Sequence, residues 1–375
     1  MTEYSQPARV AIVGAGNIAD GCHMPAVQAQ NGEATVIAVV DVDLRRAEAF
    51  AARWGIPAAY DSLDRMLQEQ HPDLVIVCTP PIAHGEAITA CLDAGASVWC
   101  EKPPTLSVAE YDAVAAHERE GGPYVSYVFQ HRFGSAARAL REHIRTGRLG
   151  APLVGVCHTL WYRDDAYFDV PWRGRWETEG GGPTMGHGIH QMDLMLSLMG
   201  DWSEVRAAMG TLARDVETED VSMAMVRFAS GAMVSMVNSL LSPRETSYLR
   251  FDFPEATVEL SHLYGYDNTH WTWTPAPHRA EATAAELGAP LDDEASSHAA
   301  QLRLLLRSLR AGQRPEASGD DGRRVLAFIA ALYQSATTGR PVTPDMVTPD
   351  SPFYHSMSGR LSAAQDNADK EKTGV

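Results

Sequence analysis

Lysine and histidine side chains occur at two points of the sequence where they could bind an oxyanion or move a proton. Lys102 lies two residues after the apolar run Ser97–Cys100, beyond Glu101, and directly precedes Pro103. If that run is a parallel strand, Lys102 lies at its carboxyl end, where such sheets bind ligands. Pro103 also restricts Lys102 to extended backbone geometry. A surface lysine before a helix would have the same local sequence, so spacing alone leaves both interpretations open.

The second point is a glycine-rich segment, residues 180–193, which contains His187, His190 and Asp193. Three consecutive glycines and a proline before a helix indicate a backbone that approaches a ligand closely. His190 and Asp193 are three residues apart and therefore share one face of that helix. His187 and His190 could instead form a metal-binding pair, but no motif supplies a third ligand, so we expect no metal site.

Residues 14–19, with the sequence GAGNIA, predict a phosphate-binding turn, because they follow an apolar run and open a helical segment. Gly14 permits a tight turn, Gly16 lets the backbone approach a pyrophosphate, and Ala19 allows close packing of helix and strand. The pyrophosphate would lie at the helix N-terminus, where free N–H groups point at it. A glycine turn in another kind of α/β protein is the alternative. The residues assigned to this turn are Gly14, Gly16, Asn17 and Ile18.

Asp41 ends the second apolar run, about 20 residues after the glycine motif, where a carboxylate takes the ribose hydroxyls of a dinucleotide. A carboxylate there accepts a hydrogen bond from a 2′-hydroxyl and repels a 2′-phosphate, which favours NAD over NADP as the cofactor. Arg45 and Arg46 lie just beyond and could offset that repulsion. A solvated helix face is their simpler interpretation.

The first third of the chain supplies a scaffold for these residues. Short apolar runs alternate with helical segments over residues 9–129, and runs that are apolar on both faces predict parallel strands. This alternation predicts a doubly wound Rossmann domain of the α/β class, which we place at residues 1–130. The predicted strands are 9–13, 35–40, 73–78, 97–100 and 124–129, and the predicted helices are 44–54, 82–94 and 108–120.

After Gly134 the apolar residues recur with period two, which predicts a C-terminal α+β domain built on a large, mostly antiparallel open sheet. We place this substrate-binding and oligomerisation domain at residues 131–357, a surface excursion at 274–296 and a disordered tail at 358–375. An open sheet face needs a partner, so we expect a homodimer or homotetramer through that sheet. The predicted strands are 153–161, 204–213, 221–228, 232–241 and 247–253, with a hairpin at Ser230-Gly231, and the helices are 136–146, 188–199, 297–310 and 323–338.

Two stretches, residues 161–167 and 172–176, are rich in Trp, Tyr and Arg. Sugars present C–H faces that stack on rings and hydroxyls that bind Arg and Asp, so Arg163, Trp172 and Arg173 predict a substrate wall. A packed loop or an oligomer contact would use the same residue types. The substrate wall, or alternatively the packed loop or oligomer contact, could also include His270, Trp271 and Trp273.

Composition narrows the function classes. The 375 residues carry 31 Lys and Arg against 48 Asp and Glu, a net charge of −17, which argues against nucleic-acid binding and against an anionic membrane surface. No signal peptide and no long apolar run is visible, so we expect no membrane span. Five cysteines without a CxxC pair favour a reduced protein of the cytoplasm.

Taken in order along the chain, these motifs resemble those of the Gfo/Idh/MocA oxidoreductases, over nearly the whole length. The resemblance implies an NAD-dependent oxidoreductase that transfers a hydride between a carbinol of a sugar, polyol or glycoside and the cofactor. It implies that Lys102 binds the reacting oxygen, that His190 acts as acid and base, and that Asp193 faces substrate hydroxyls. The motifs that carry it are Gly14–Ala19, Thr79-Pro80-Pro81 with His84, Ala94-Gly95, Glu101-Lys102-Pro103, His131–Phe133, Trp172–Gly174, Gly180–Asp193 and Ala331–Tyr333. The residues it places at the cofactor are Thr79, Pro80, His84 and Glu101.

The sequence departs from the family pattern at Gly186, where the family often carries an aspartate four residues before the catalytic histidine. A carboxylate there would favour the protonated imidazole, so its loss favours a neutral His190. Lys102 would then carry more of the acid–base work, and His187, which we also assign to the substrate site, could compensate. Two other functions share this scaffold: a glycoside-cleaving enzyme that oxidises its substrate transiently, and a cofactor-binding regulator without catalysis. Retention of Lys102 and His190 argues against the regulator.

Overall fold

The computed structural model describes residues 6–360, and two sheets organise that part of the chain. The first is parallel, with the strand order β3-β2-β1-β4-β5-β6. Because the order reverses between β1 and β4, the carboxyl ends of these strands leave a crevice that can accept a ligand. The strands are β1 (Ala8–Val13), β2 (Ala34–Val40), β3 (Ala58–Tyr60), β4 (Leu74–Val77), β5 (Ser97–Cys100) and β6 (Val125–Tyr127).

Helices connect these strands, as the alternating pattern predicted. The helix at residues 44–54 matches its prediction, since Asp43 caps its start and Gly55 ends it. Strand β3 was missed because it is three residues long and begins with two alanines, which carry little β-propensity. The helices are α1 (Met24–Gln28), which continues a π-helical turn at Ala19–His23, α2 (Leu44–Trp54), α3 (Leu63–Gln70), α4 (His84–Asp93) and α5 (Val108–Ala115).

The second sheet is antiparallel apart from one parallel pair, β7 with β10, and its order is β13-β12-β11-β7-β10-β9-β8. The hairpin at Ser230-Gly231 joins β9 to β10, as predicted. The strands at residues 256–262 and 271–275 were missed, and the end of the second falls within the predicted surface excursion at 274–296. The strands are β7 (Val154–Tyr162), β8 (Trp202–Gly210), β9 (Val221–Phe228), β10 (Met233–Ser239), β11 (Leu241–Asp252), β12 (Ala256–His262) and β13 (Trp271–Pro275). The predicted fold class is confirmed.

Helices cover one face of the second sheet. Helix α9 is apolar and buried around most of its circumference, as expected for a helix between two layers. Helix α11 was predicted to belong to the second domain, yet its leucines Leu302, Leu305 and Leu306 share a core cluster with β1. The helices are α6 (Ser135–Arg145), α7 (Trp176–Glu179), α8 (Pro183–Gly186), α9 (Ile189–Met199), α10 (Ala284–Leu287), α11 (His298–Arg310), α12 (Asp320–Thr338) and α13 (Pro352–His355).

The opposite face of the second sheet presents apolar side chains to solvent. Along β9 and β10 buried residues alternate with exposed ones, and the exposed set includes Met223, Met225 and Met233, with Val154 on β7. Within residues 6–360, no helix combines the length and the apolar character needed to cross a membrane. Most of the predicted disordered tail, residues 361–375, lies outside the described residues.

Candidate active site

The glycine motif forms a tight turn between β1 and α1, at the crevice of the first sheet. Gly14 has φ +96°, and a Cβ there would lie 2.8 Å from the carbonyl oxygen of Cys78, so only glycine fits. A Cβ on Gly16 would meet no atom within 4 Å, so its backbone faces open space. Nearby, the Thr79 hydroxyl is buried without a hydrogen-bond partner among the described residues. An open backbone and an unpaired donor fit a dinucleotide phosphate group.

Asp41 ties the end of β2 to this turn. Its Oδ2 accepts a hydrogen bond of 3.0 Å from the backbone N–H of Ala15, and its Oδ1 accepts one of 3.0 Å from Asp43. Arg46 is exposed, as expected for a solvated helix face, and also approaches Oδ1 of Asp41 to 3.3 Å. Arg45 is exposed, as expected. The carboxylate is therefore in place for a ribose, with a cation beside it.

His84 connects two strand ends instead of presenting its ring to a ligand. Its Nδ1 lies 2.8 Å from the carbonyl oxygen of Pro103, and its Nε2 lies 3.0 Å from that of Thr79. Burial lowers the pKa of this imidazole, and the two carbonyl oxygens oppose that shift. His84 therefore holds the loop after β4 against the loop after β5, while Pro80 is exposed at the same edge.

Glu101 lies between two imidazoles that the sequence did not connect with it. Nε2 of His23 and Nε2 of His298 lie 2.7 Å and 3.4 Å from Oε1 of Glu101. Although burial opposes the effect, these two contacts hold the pKa of Glu101 well below its ordinary value. The three side chains include donor types that a metal ion takes, but 2.7 Å between nitrogen and oxygen is a direct hydrogen bond, so we assign them as a hydrogen-bonded group. This group fixes Glu101 beneath the residue that follows it, Lys102.

Lys102 reaches from the first sheet into the glycine-rich segment. Its Nζ donates a hydrogen bond of 2.8 Å to the carbonyl oxygen of Gly186. Burial lowers the pKa of Lys102, and the carboxylate of Glu101 opposes that shift. The alternative interpretation, a surface lysine before a helix, is therefore wrong.

His190 lies in the first turn of α9 and is 2% exposed. The edge of its ring packs against His131 and Tyr264, with centroids 5.1 Å and 5.6 Å away. Burial, reinforced by the charge of Lys102, holds the pKa of His190 well below its ordinary value. A neutral imidazole beside an ammonium group can accept a proton while the ammonium binds an oxyanion.

His187 contacts residues of the aromatic stretch. Its Nε2 lies 3.1 Å from the Tyr167 hydroxyl, and its ring packs edge-on against Trp161 at 5.3 Å. Within residues 6–360, neither His187 nor His190 belongs to a group of three side chains that could hold a metal ion.

The predicted substrate wall forms in part. The guanidinium of Arg173 lies 3.9 Å from the centre of the Tyr167 ring and 4.3 Å from that of Trp172. The guanidinium of Arg163 lies 5.1 Å from the Trp161 ring, and its Nη1 pairs with Glu245 at 2.9 Å. Of these rings, Trp161 and Tyr167 pack against His187.

Other aromatic residues considered for the wall pack elsewhere. Trp176 lies edge-on against Tyr333 with centroids 5.2 Å apart. Trp271 and Trp273 are buried in β13 at the edge of the second sheet, and His270 stacks on His262. Trp271 and Trp273 are therefore core residues of the second sheet.

Asp193 does not face the cleft as the resemblance implied. Its two carboxylate oxygens accept hydrogen bonds from Nε and Nη2 of Arg132, at 2.7 Å and 2.5 Å, and it is 1% exposed. Burial raises the pKa of Asp193, and Arg132 opposes that shift. Because Arg132 occupies both oxygens, we assign Asp193 to the internal ion pair and not to substrate hydroxyls.

The sequence assigned no role to several residues of the site, although His131 lies in a motif that carries the resemblance. His131 is buried, neither of its ring nitrogens has a hydrogen-bond partner among the described residues, and burial lowers its pKa to about 3. Tyr264 comes from the loop after β12 and its hydroxyl contacts Gln130. Single residues in loops far apart along the chain have no spacing pattern, so only the folded chain brings them to His190. The residues missed in this way are His23, His131, Glu179, Tyr264 and His298.

A glycine turn at the switch point, beside a partly buried lysine and a neutral histidine, defines an oxidoreductase with a dinucleotide-binding Rossmann domain. The chain matches the description "Oxidoreductase family, NAD-binding Rossmann fold" over residues 8–129. It matches "GFO/IDH/MocA C-terminal domain" over residues 137–260. The protein therefore belongs to the Gfo/Idh/MocA oxidoreductase family, as its motifs predicted.

Relatives of known activity align along nearly the whole chain. The D-glucoside 3-dehydrogenase of Escherichia coli is 28% identical over 363 residues, which covers 90% of this chain and 98% of that one. The D-xylose 1-dehydrogenase (NADP(+)) 2 of Haloferax volcanii is 28% identical, with coverage of 89% and 99%. The WlbA dehydrogenase from Bordetella pertussis, solved with NADH and UDP-GlcNAcA, superposes with a TM-score of 0.78 at 25% identity, covering 90% of this chain and 99% of that one.

Proposed function

We propose that this protein is an NAD-dependent dehydrogenase that oxidises a carbinol group of a sugar, polyol or glycoside, with Lys102 and His190 at the reacting hydroxyl. The observation that carries the proposal is the convergence of a partly buried lysine and a neutral histidine beside a dinucleotide turn. Relatives that align along nearly the whole chain are dehydrogenases of glucosides and of xylose, which supports the substrate class.

Each side chain has a separate task in this reaction. The ammonium of Lys102 binds the hydroxyl oxygen and stabilises the negative charge that develops on it. The neutral imidazole of His190 accepts the hydroxyl proton, a role that contributes about 10²–10⁴-fold in rate. The bound nicotinamide supplies the hydride acceptor. Oxidation needs both groups in these protonation states at the same pH, and burial favours the neutral imidazole.

The substrate lies, in this proposal, between these two residues and the wall formed by Trp161, Tyr167 and Arg173. Aromatic rings give the C–H face of a sugar ring a stacking surface, and cations beside them bind its hydroxyls. The contacts among these side chains support one continuous wall. His187 and the Tyr167 hydroxyl add polar groups to that wall.

Three finer assignments complete the proposal. Asp41 favours NAD, because a ribose 2′-hydroxyl can donate to its carboxylate, although Arg46 lies close enough to weaken the preference. The exposed apolar face of the second sheet supports a homodimer or homotetramer through that face. The five free thiols, four of them buried, support a reducing compartment such as the cytoplasm.

The decisive experiment measures reduced nicotinamide by its absorbance while monosaccharides, inositols and glycosides are offered with NAD or NADP. We expect turnover with at least one sugar class. Lys102→Met should lose about 10³-fold or more of this activity, because Lys102 both binds the reacting oxygen and stabilises the charge that develops on it. The variant should still bind the cofactor, which fluorescence of bound NADH reports. A purified protein with tightly retained cofactor and no net reduction across the panel would contradict the proposal and favour the glycoside-cleaving or regulatory alternative.

A further inference from the structure

We propose that Glu179 is a positioning residue of this active site, and that its carboxylate faces Lys102 and Arg173 from beside the place that a side chain at residue 186 would occupy. The inference deepens the proposed function and rests on the role given there to Lys102. Glu179 lies at the end of α7, outside the histidine motif, so no spacing pattern connects it with Lys102.

The geometry joins Glu179 to the lysine through Gly186. Lys102 Nζ donates a hydrogen bond of 2.8 Å to the carbonyl oxygen of Gly186. A Cβ built on Gly186 would lie 3.6 Å from Oε1 of Glu179, in ordinary van der Waals contact and with no other atom within 4 Å. The carboxylate thus borders the space into which a side chain at 186 would project.

The carboxylate is held rigidly in that space. Glu179 is 5% exposed, and its Oε2 accepts a hydrogen bond of 2.6 Å from the backbone N–H of Gly174. Its Oε1 pairs with Nη1 of Arg173 at 3.4 Å. Oε1 is therefore the oxygen that faces both the arginine and the lysine-bearing corner of the site.

The balance of charge explains why a carboxylate is needed there. The positive charge of Arg173 lowers the pKa of Lys102, so a carboxylate nearby stabilises the ammonium group. Nearby carboxylates already have partners: Glu101 contacts two imidazoles, and Glu245 pairs with Arg163.

Glu219 is also occupied, because it accepts hydrogen bonds from the backbone N–H groups of Gly182 and Thr184 and from the Tyr333 hydroxyl. Glu179 therefore adds a second carboxylate, beside that of Glu101, that stabilises the charged lysine. The titratable and charged groups that face Lys102 or Glu179 are Glu101, Arg163, Tyr167, Arg173, His187, His190 and Glu219.

The sign of the effect follows from these contacts. The carboxylate of Glu179 raises the pKa of Lys102 against the larger, opposite effect of burial. A neutral amide in its place removes that support, so the pKa of Lys102 falls and the ammonium is lost at a lower pH. Glu179→Gln keeps the shape and an oxygen that accepts from Gly174, so the change is mainly one of charge.

The test measures the titration of Lys102 without turnover, by competitive acetylation with acetic anhydride across pH and mass spectrometry of the lysine peptide. The chain suits this experiment, since its lysines are Lys102, Lys370 and Lys372. We expect Glu179→Gln to lower the pKa of Lys102 by about one pH unit, as removal of a close opposite charge does. Glu177→Gln, an exposed position on the same helix, is the matched control and should leave the titration unchanged.

A second pair of variants moves the charge instead of deleting it. Gly186→Asp in the Glu179→Gln background returns a carboxylate to the same space and should restore both the titration of Lys102 and the alkaline limb of kcat/KM. Gly186→Asp alone puts a second carboxylate beside Lys102 and should raise its pKa, so this variant tests the proposal even if Glu179→Gln fails to fold.

The outcomes separate this inference from the proposed function. An unchanged titration of Lys102 in both Glu179→Gln and Gly186→Asp would overturn the positioning role, whatever substrate the enzyme uses. A shifted titration in a protein that oxidises no sugar would sustain the positioning role and reject the proposed dehydrogenase. A loss of activity in Glu179→Gln that Gly186→Asp does not repair, with Lys102 titrating normally, would show a merely structural role and reject the inference.

Discussion

The ammonium nitrogen of Lys102 lies 2.8 Å from the carbonyl oxygen of Gly186, a residue 84 positions further along the chain. This hydrogen bond joins the end of β5 in the first sheet to α8 in the glycine-rich segment, which packs against the second sheet. Neither half of the chain holds the lysine, the histidine and the substrate wall by itself. The chemistry therefore depends on how the two sheets are docked.

The protonation states of this pair predict the pH dependence of the reaction. Burial and the charge of Lys102 lower the pKa of His190, so the neutral base persists as pH falls below the ordinary value for histidine of about 6.5. Activity is lost only when pH falls through that lowered pKa. We expect the acid limb of kcat/KM for oxidation to lie below the ordinary pKa of histidine, and His190→Asn to abolish it while the alkaline limb persists. An acid limb at pH 7 or above would contradict a neutral His190.

The ion pair between Arg132 and Asp193 predicts a structural variant. Removing one partner of a buried pair leaves the other charge uncompensated and costs about 3 kcal/mol or more. Asp193→Asn should therefore lower the free energy of unfolding by roughly that amount, measured by urea denaturation, although Asp321 stays 2.8 Å from Arg132 and limits the loss. A raised KM with unchanged stability would instead return Asp193 to the substrate site.

The contact between Asp41 and Arg46 predicts how cofactor choice can be changed. Asp41→Ala removes the carboxylate that repels a 2′-phosphate and frees Arg46 to pair with that phosphate. We expect the ratio of kcat/KM with NAD to that with NADP to fall about 10-fold or more, as the loss of one charged contact implies. Arg46→Ala is the matched control and should shift the ratio toward NAD. Equal ratios in all three proteins would show that neither residue selects the cofactor.

The exposed methionines of β9 predict the surface that joins copies of the chain. Met223 and Met225 are 55% and 58% exposed and point to the same side of the strand. If this face is the interface, Met223→Glu combined with Met225→Glu puts buried charges there and should shift the protein to monomers in light scattering after gel filtration. Leu291→Glu changes an equally apolar but 92% exposed residue outside that sheet and should leave the mass unchanged. A wild-type monomer would reject the interface outright.

Local patterns in the sequence were sufficient to predict the scaffold of strands and turns that carries the site. The glycine turn at residues 14–19, Asp41 at the end of β2 and Lys102 at the end of β5 all follow directly from strands that the apolar runs predict. These features depend on backbone conformation and on neighbours in the chain, which the order of residues records. The alternation of strands and helices likewise determined the class of both sheets.

Contacts between distant residues were decided by the tertiary structure. Whether Asp193 meets substrate or Arg132, and whether a carboxylate faces Lys102 from residue 186 or from Glu179, depends on how α7 and α9 dock against the first sheet. That docking is set by packing and by the desolvation of charges, which no spacing along the chain encodes. The sequence therefore determined which residues could do the chemistry, and the packing of the two sheets decided which of them meet.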